Sequence, residues 1–166
     1  MMSNFNQLQT KTQVFLSQEN KNILPEKGVL LGIDYGQKRI GLALSDKDRQ
    51  ISSPFKTIFQ LKELDDIIPA KEVTGVIIGL PLQTNGEEGD IAKSVRLFAN
   101  RVLEKYSLPV FLVDERYTSK FSSEDLSQRF VREKKQKKVL DNYAAARILQ
   151  RGIELIKNNS NELHIL

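Results

Sequence analysis

The chain has 166 residues, 25 Lys and Arg against 21 Asp and Glu for a net charge of +4, no cysteine and one histidine. That length suits one domain with a core of its own, without disulfide or metal staples. The composition excludes disulfides, thiolate metal sites and a cysteine nucleophile, and a lone His164 close to the end of the chain gives no basis for a histidine triad or a multi-histidine zinc site. Any metal must therefore be held by oxygen.

In chain order, residues 1–27 are rich in Gln, Asn and Lys and are expected to form a flexible extension, with a short helix around "TQVFLS" as a local alternative. They show no apolar core behind a basic start, and no later stretch approaches the roughly 18 apolar residues of a membrane span. The expectation is a soluble, cytoplasmic protein with no membrane partner. "VLLGIDYG" (29–36) and "RIGLALSD" (39–46) are β-suited runs joined by a short link, the mark of a hairpin. "FKTIFQL" predicts a third antiparallel strand, and "KELDDIIPA" a short helix closed by Pro69.

The nearly unbroken apolar runs "VTGVIIGLP" (73–81) and "VFLVDE" (110–115) fit parallel strands buried on both faces. Between them, "DIAKSVRLFANRVLEKY" places Ile91, Val95, Phe98 and Val102 on one helical face, which completes a strand, helix, strand unit. The last helix, "NYAAARILQRGIELIKN", stacks Ala145, Ile148, Leu149, Gly152 and Ile156 along one side. One α/β domain over 28–158 follows, with a tail at 159–166.

Three acids stand at the end of an apolar segment or on the apolar side of a helix, where a charge is costly without a task or a partner: Asp34, Glu115 and Asp141. Parallel strands end on one sheet edge, so Asp34 and the acids after "VFLV" open onto one crevice. Asp141, in helical register with Ala145, Ile148 and Gly152, points toward the same body. Grouped carboxylates repel one another unless a cation compensates, and oxygen ligands with open positions suit Mg²⁺ or Mn²⁺ and metal-assisted phosphoryl transfer. Each acid also has a structural reading: Asp34 as a turn residue before Gly36, Glu115 as half of an ion pair, Asp141 as a helix N-cap.

The run "RFVREKKQKK" sets Arg129, Arg132, Lys134, Lys135, Lys137 and Lys138 against Glu133. It reads either as a solvated face or as a surface for a polyanion. The loop "PLQTNGEEGD" places Gly86 and Gly89 directly before a helix, where backbone N–H groups either cap that helix or meet a phosphate.

Taken in order, "GIDYGQKRIGLALSD", "IIGLPLQTNGEEG", "VFLVDERYTS" and "KKVLDNYAAARILQ" resemble the YqgF/RuvX family, described as Holliday junction resolvases and as pre-16S rRNA nucleases. The match spans about residues 29–157. The resemblance implies an RNase H-like α/β fold, a mixed five-stranded sheet of antiparallel hairpin strands plus parallel strands, flanked by helices. It implies a nuclease that uses Mg²⁺ or Mn²⁺, with Asp34, Glu115 and Asp141 as the catalytic, metal-holding acids. Arg39 and Arg116 match the family's arginines and suit phosphate, which a guanidinium forks. Lys38, Thr118 and the cations Arg132, Lys134, Lys135, Lys137 and Lys138 complete the expected nucleic-acid-binding set. The longer N-terminal tail, and Leu140-Asp141-Asn142-Tyr143 where many relatives carry smaller apolar residues after the Asp, depart from the pattern without removing an acid.

The expected partner is structured nucleic acid: precursor ribosomal RNA, with the ribosome or its precursors, or a four-way DNA junction, approached as a monomer or a homodimer. Tyr35, Tyr117 and Phe121 are candidates for stacking on an unpaired base. A non-catalytic RNA-binding assembly factor on the same fold is the competing class. An ATPase or sugar-kinase relative also opens with Gly-Ile-Asp-x-Gly, but it needs two such lobes, and Gln37-Lys38-Arg39 stands where phosphate-binding hydroxyls belong.

Overall fold

The computed structural model describes residues 14–15, 23–116, 140–158 and 163–166, with the backbone alone for 14–15, 140–142 and 163–164. The elements are β1 (Val14–Phe15), β2 (Val29–Tyr35), β3 (Ile40–Ser45), β4 (Ser52–Ile58), a 3₁₀ turn at Leu61–Glu63, α1 (Leu64–Ala70), β5 (Val73–Leu80), α2 (Asp90–Tyr106), β6 (Val110–Asp114), α3 (Leu140–Lys157) and β7 (Leu163–Ile165).

The mixed five-stranded sheet has the order β6-β5-β2-β3-β4, and β7 and β1 extend it beyond β6. β2 and β3 are the antiparallel hairpin, β4 adds antiparallel to β3, and β2, β5 and β6 run parallel. β7 pairs antiparallel with β6 through Leu112 and His164, and β1 with β7 through Val14 and Ile165. These short pieces fall in segments read from sequence as extension and tail. Two or three residues are too few to show a periodicity, and the edge of β6 supplies the pairing.

Helices cover both faces of the sheet, so its central strands are apolar throughout rather than alternating. Leu31, Ile33, Val76, Ile78, Val110 and Leu112 face α1 and α2 in the larger core. Leu30, Ala43, Ile77, Phe111 and Val113 face Ala145, Ile148, Leu149 and Ile153 of α3. On α2 the inward positions are Ala92, Val95, Phe98, Ala99 and Val102. Ile91, expected inside, is exposed, because Ala92 takes the inward place at the crowded start of the helix. Pro69 lies within α1 rather than after it, one residue before the helix ends; it has no N–H to donate to the carbonyl four residues back, and the helix stops one residue later.

α3 runs opposite to the parallel strands. A Cβ added at Gly152 would meet Ile77 Cδ1 at 2.5 Å, and one at Gly79 would meet Ile148 Cδ1 at 2.6 Å. Moving up β5 from residue 77 to 79 therefore moves down the helix from 152 to 148. The N-terminal turn of α3 thus lies over the carboxyl edge of the sheet.

Candidate active site

Strand parity decides what reaches that edge. Leu30 and Gly32 of β2 lie on the α3 face, and Asp34 continues their row, still within the strand and paired with Gly41. Asp34 is therefore a strand residue and not the start of the turn, which Gly36 N–H closes by donating to the Arg39 carbonyl at 3.0 Å. Phe111 and Val113 of β6 occupy the same face, and Glu115, the next residue of their row, emerges one position past the strand.

β5 runs between these two strands and contributes no side chain at this level, because its residue there is Gly79. A Cβ on Gly79 would collide with Glu115 Oε1 and lie 3.0 Å from Glu115 Cδ. The missing side chain is the space into which the Glu115 carboxylate folds, beside Asp34. Burial, followed by the negative charges of Asp34 and Asp114, pushes the Glu115 pKa up to about 7. A glycine inside an otherwise apolar strand signals close approach of another group, and in "IIGLP" that signal is the one the sequence reading passes over. We expect Gly79→Ala to cost about 1–3 kcal/mol by overpacking. It should also expel the Glu115 carboxylate toward water, returning its pKa toward 4.5. Urea denaturation and a carboxyl NMR titration check the two parts.

Arg116 engages Asp114 rather than Glu115. Its Nε and Nη2 both donate to Asp114 Oδ2, at 2.9 and 2.7 Å, and its backbone N–H donates to Oδ1 at 2.9 Å. Nη1 reaches the Thr84 carbonyl at 3.3 Å, so the fork ties the end of β6 to the loop after β5. In that loop, Gln83 N–H donates to the Glu87 carbonyl, Gly86 N–H to the Gln83 carbonyl and Glu87 N–H to Asn85 Oδ1. Those three donors hold the loop together. Gly86, at φ +88°, makes the turn against Arg116, and Glu88 pairs with Arg96 of α2 at 2.5 Å.

Lys38 and Arg39 are exposed in the β2–β3 turn, just beyond Asp34 on the same edge. Tyr35 turns the other way and packs on Phe98 with ring centroids 4.6 Å apart. Asp141 is the second residue of α3, so its backbone stands inside the helix rather than at an N-cap, at the end that overhangs the carboxyl edge. Tyr117, Thr118, Phe121 and the basic residues Arg129, Arg132, Lys134, Lys135, Lys137 and Lys138 lie outside the described residues. Among the described residues, no helix is long and apolar enough to cross a membrane.

Residues 28–154 match the family described as RuvX, Holliday junction resolvase. A protein of Zymomonas mobilis named "Putative pre-16S rRNA nuclease" is 39% identical over 137 residues, 79% of this chain and 83% of that one. Relatives of the same name from Rickettsia peacockii and Orientia tsutsugamushi are 35% and 32% identical, over 85% and 81% of this chain and 96% and 89% of theirs. Among solved structures, Thermus thermophilus RuvC in complex with a Holliday junction substrate superposes with a TM-score of 0.56 at 14% identity, covering 84% of this chain and 99% of that one. At that identity the likeness speaks for the fold, which is RNase H-like. The chain belongs to the RuvX family of nucleases.

Proposed function

We propose that this protein is a divalent-metal-dependent endonuclease that hydrolyses phosphodiester bonds in structured RNA, and that its task is 5′-end processing of pre-16S rRNA. The observation that carries the reading is the meeting of Asp34 and Glu115 over Gly79, on the edge that the N-terminal turn of α3 overhangs. The names of the relatives from Zymomonas, Rickettsia and Orientia supply the substrate.

The residues fit Mg²⁺ or Mn²⁺. Their donors are carboxylate oxygens, and the raised pKa of Glu115 marks a place that favours added positive charge. In this proposal Asp34, Glu115 and Asp141 hold the metal. A divalent ion so held supplies Lewis-acid activation of water and neutralises charge on the scissile phosphate. The protein's own groups do the positioning. Arg39 and Lys38, on the rim beyond Asp34, receive backbone phosphates, with the guanidinium forking two oxygens. Arg116, locked to Asp114, fixes the end of β6 against the loop at Gln83 and Thr84 and so sets where Glu115 stands. Thr118, Arg132, Lys134, Lys135, Lys137 and Lys138 are assigned to nucleic-acid contacts, the cations among them to phosphates, which gives affinity without reading sequence.

The test is cleavage of end-labelled precursor rRNA and of a synthetic four-way DNA junction in parallel, with Mg²⁺, Mn²⁺ or chelator. The expected result is metal-dependent cutting of the rRNA near its mature 5′ end, absent in chelator. Cutting of the junction alone would move the substrate to the second reading, which the family's description as Holliday junction resolvase favours. Symmetric junction cleavage would also require two copies acting together. Binding without cutting of either substrate would replace the enzyme with an assembly factor.

A further inference from the structure

Phe59 is the most exposed large apolar side chain among the described residues, at 69%. Its neighbour Ile58 is fully buried, so the strand hands over from a core residue to an aromatic left in water. The backbone there is fixed: Phe59 and Gln60 N–H groups both donate to Glu63 Oε1, at 2.7 and 3.0 Å, closing the capping box of the 3₁₀ turn. A ring held on a fixed backbone in solvent contributes little to folding, and its apolar area is available to whatever covers it.

Its place in the sheet says what would cover it. The last pair of β3 with β4 is Ile40 with Ile58, so the next residues outward are Arg39 and Phe59. β4 runs in the same direction as β2, which puts Phe59 on the edge that carries Asp34, two strand spacings across and two residues further out, or about 12 Å away. It lies on the side of Asp34 away from Glu115. Cations flank it in the chain and across the sheet. Lys38 and Arg39 occupy the adjoining turn, and Lys56 and Lys62 both lie near enough to Glu63 to favour its ionised form. Of the acids close by in the chain, Glu63 accepts from the two backbone N–H groups and Asp65 pairs with Lys105 at 2.7 Å, while Asp66 is exposed on the first turn of α1.

We propose that Phe59 is a stacking platform for an unpaired base of the bound nucleic acid, with Lys38, Arg39, Lys56 and Lys62 holding the flanking phosphates. An exposed aromatic ring among cations is how proteins grip single strands without reading sequence, since every base offers a π-face. A duplex keeps its bases stacked on one another and offers the ring nothing. The platform rests on the nuclease reading for its position beside Asp34, and it deepens that reading by requiring a substrate with a single-stranded segment next to the cut.

The test is equilibrium binding in chelator, so that no cutting intervenes, of a short labelled single-stranded RNA, the same sequence as single-stranded DNA, and the blunt duplex. Phe59→Ala should weaken both single strands by about tenfold and the duplex by less than about twofold. The sequence contains no tryptophan, so Phe59→Trp introduces a single indole reporter, and that variant should bind as well as the native protein. Its fluorescence should be quenched by single strands and not by duplex. Equal weakening of single strand and duplex by Phe59→Ala, or indole emission from the Phe59→Trp variant that stays unquenched when a single strand is bound, would overturn the platform. Neither result touches the nuclease reading, which stands or falls on metal-dependent cleavage by the native protein.

Discussion

Asp34→Asn is expected to abolish metal-dependent cleavage, lowering the single-turnover rate on the order of a thousandfold or more, while the protein stays folded. Asn preserves the shape of the side chain in β2 and removes one of the charges around which the proposed site is built. A metal ion at a phosphoryl centre supplies several kcal/mol of transition-state stabilisation, and about 4 kcal/mol corresponds to a thousandfold in rate. Binding of uncut RNA should change little, since affinity comes from phosphate contacts elsewhere. The same substitution should lower the Glu115 pKa, because the Asp34 charge is one of the causes that raise it. Single-turnover cleavage of labelled precursor rRNA, beside a carboxyl NMR titration, reads both effects. Retention of the native rate within about tenfold would place the chemistry at other residues.

The second large effect concerns pH and stability. The Glu115 pKa is about 7 in the folded protein against an ordinary 4.5. Between those values the folded state keeps a proton that the unfolded state has released, so stability falls as pH rises through that window and levels off above it. Discounted for the water that reaches this half-buried group, the loss is about 2 kcal/mol. Glu115→Gln removes the titration. The variant should match the native protein at pH 5 and exceed it by about 2 kcal/mol at pH 8 in metal-free buffer. Mg²⁺ at a hundredfold excess over its Kd should restore about 2.7 kcal/mol to the native protein at pH 8 and far less to the variant. Urea denaturation at the two pH values, with and without Mg²⁺, decides it. Parallel pH profiles for the two proteins would show that Glu115 is not the strained group.

Most of the sheet is legible in the sequence because its strands are long and doubly buried. "VTGVIIGLP" and "VFLVD" have no polar face to confuse with a helix, and the helix between them is fixed by its spacing. Asp34 and Glu115 stand out because an acid at the end of such a run is anomalous. Relations between strands are what one chain read in order does not display. The pairing of Arg116 with Asp114, rather than with Glu115, depends on which row of the sheet each acid continues. Gly79 matters only because Glu115 is two strands from Asp34 and must cross the strand between them. The run "FKTIFQL" draws Phe59 into the strand; the sheet ends one residue earlier, where the Glu63 cap takes the backbone N–H.

The docking of α3 also governs how the chain folds. The α3 face of the sheet presents Leu30, Ala43, Ile77, Phe111 and Val113, and the side chains that bury them come from residues 145–153. Ser52 Oγ reaches across 94 positions to donate to the Ala146 carbonyl at 2.7 Å. Contacts of such separation close only after the intervening loop entropy has been met, which makes folding slow relative to a helical bundle of the same size. A growing polypeptide that ends before α3 holds a sheet with one greasy side open to solvent, a state prone to self-association. Truncations ahead of residue 140 should accordingly be insoluble rather than merely inactive, and chaperone dependence during synthesis should vanish once α3 has emerged.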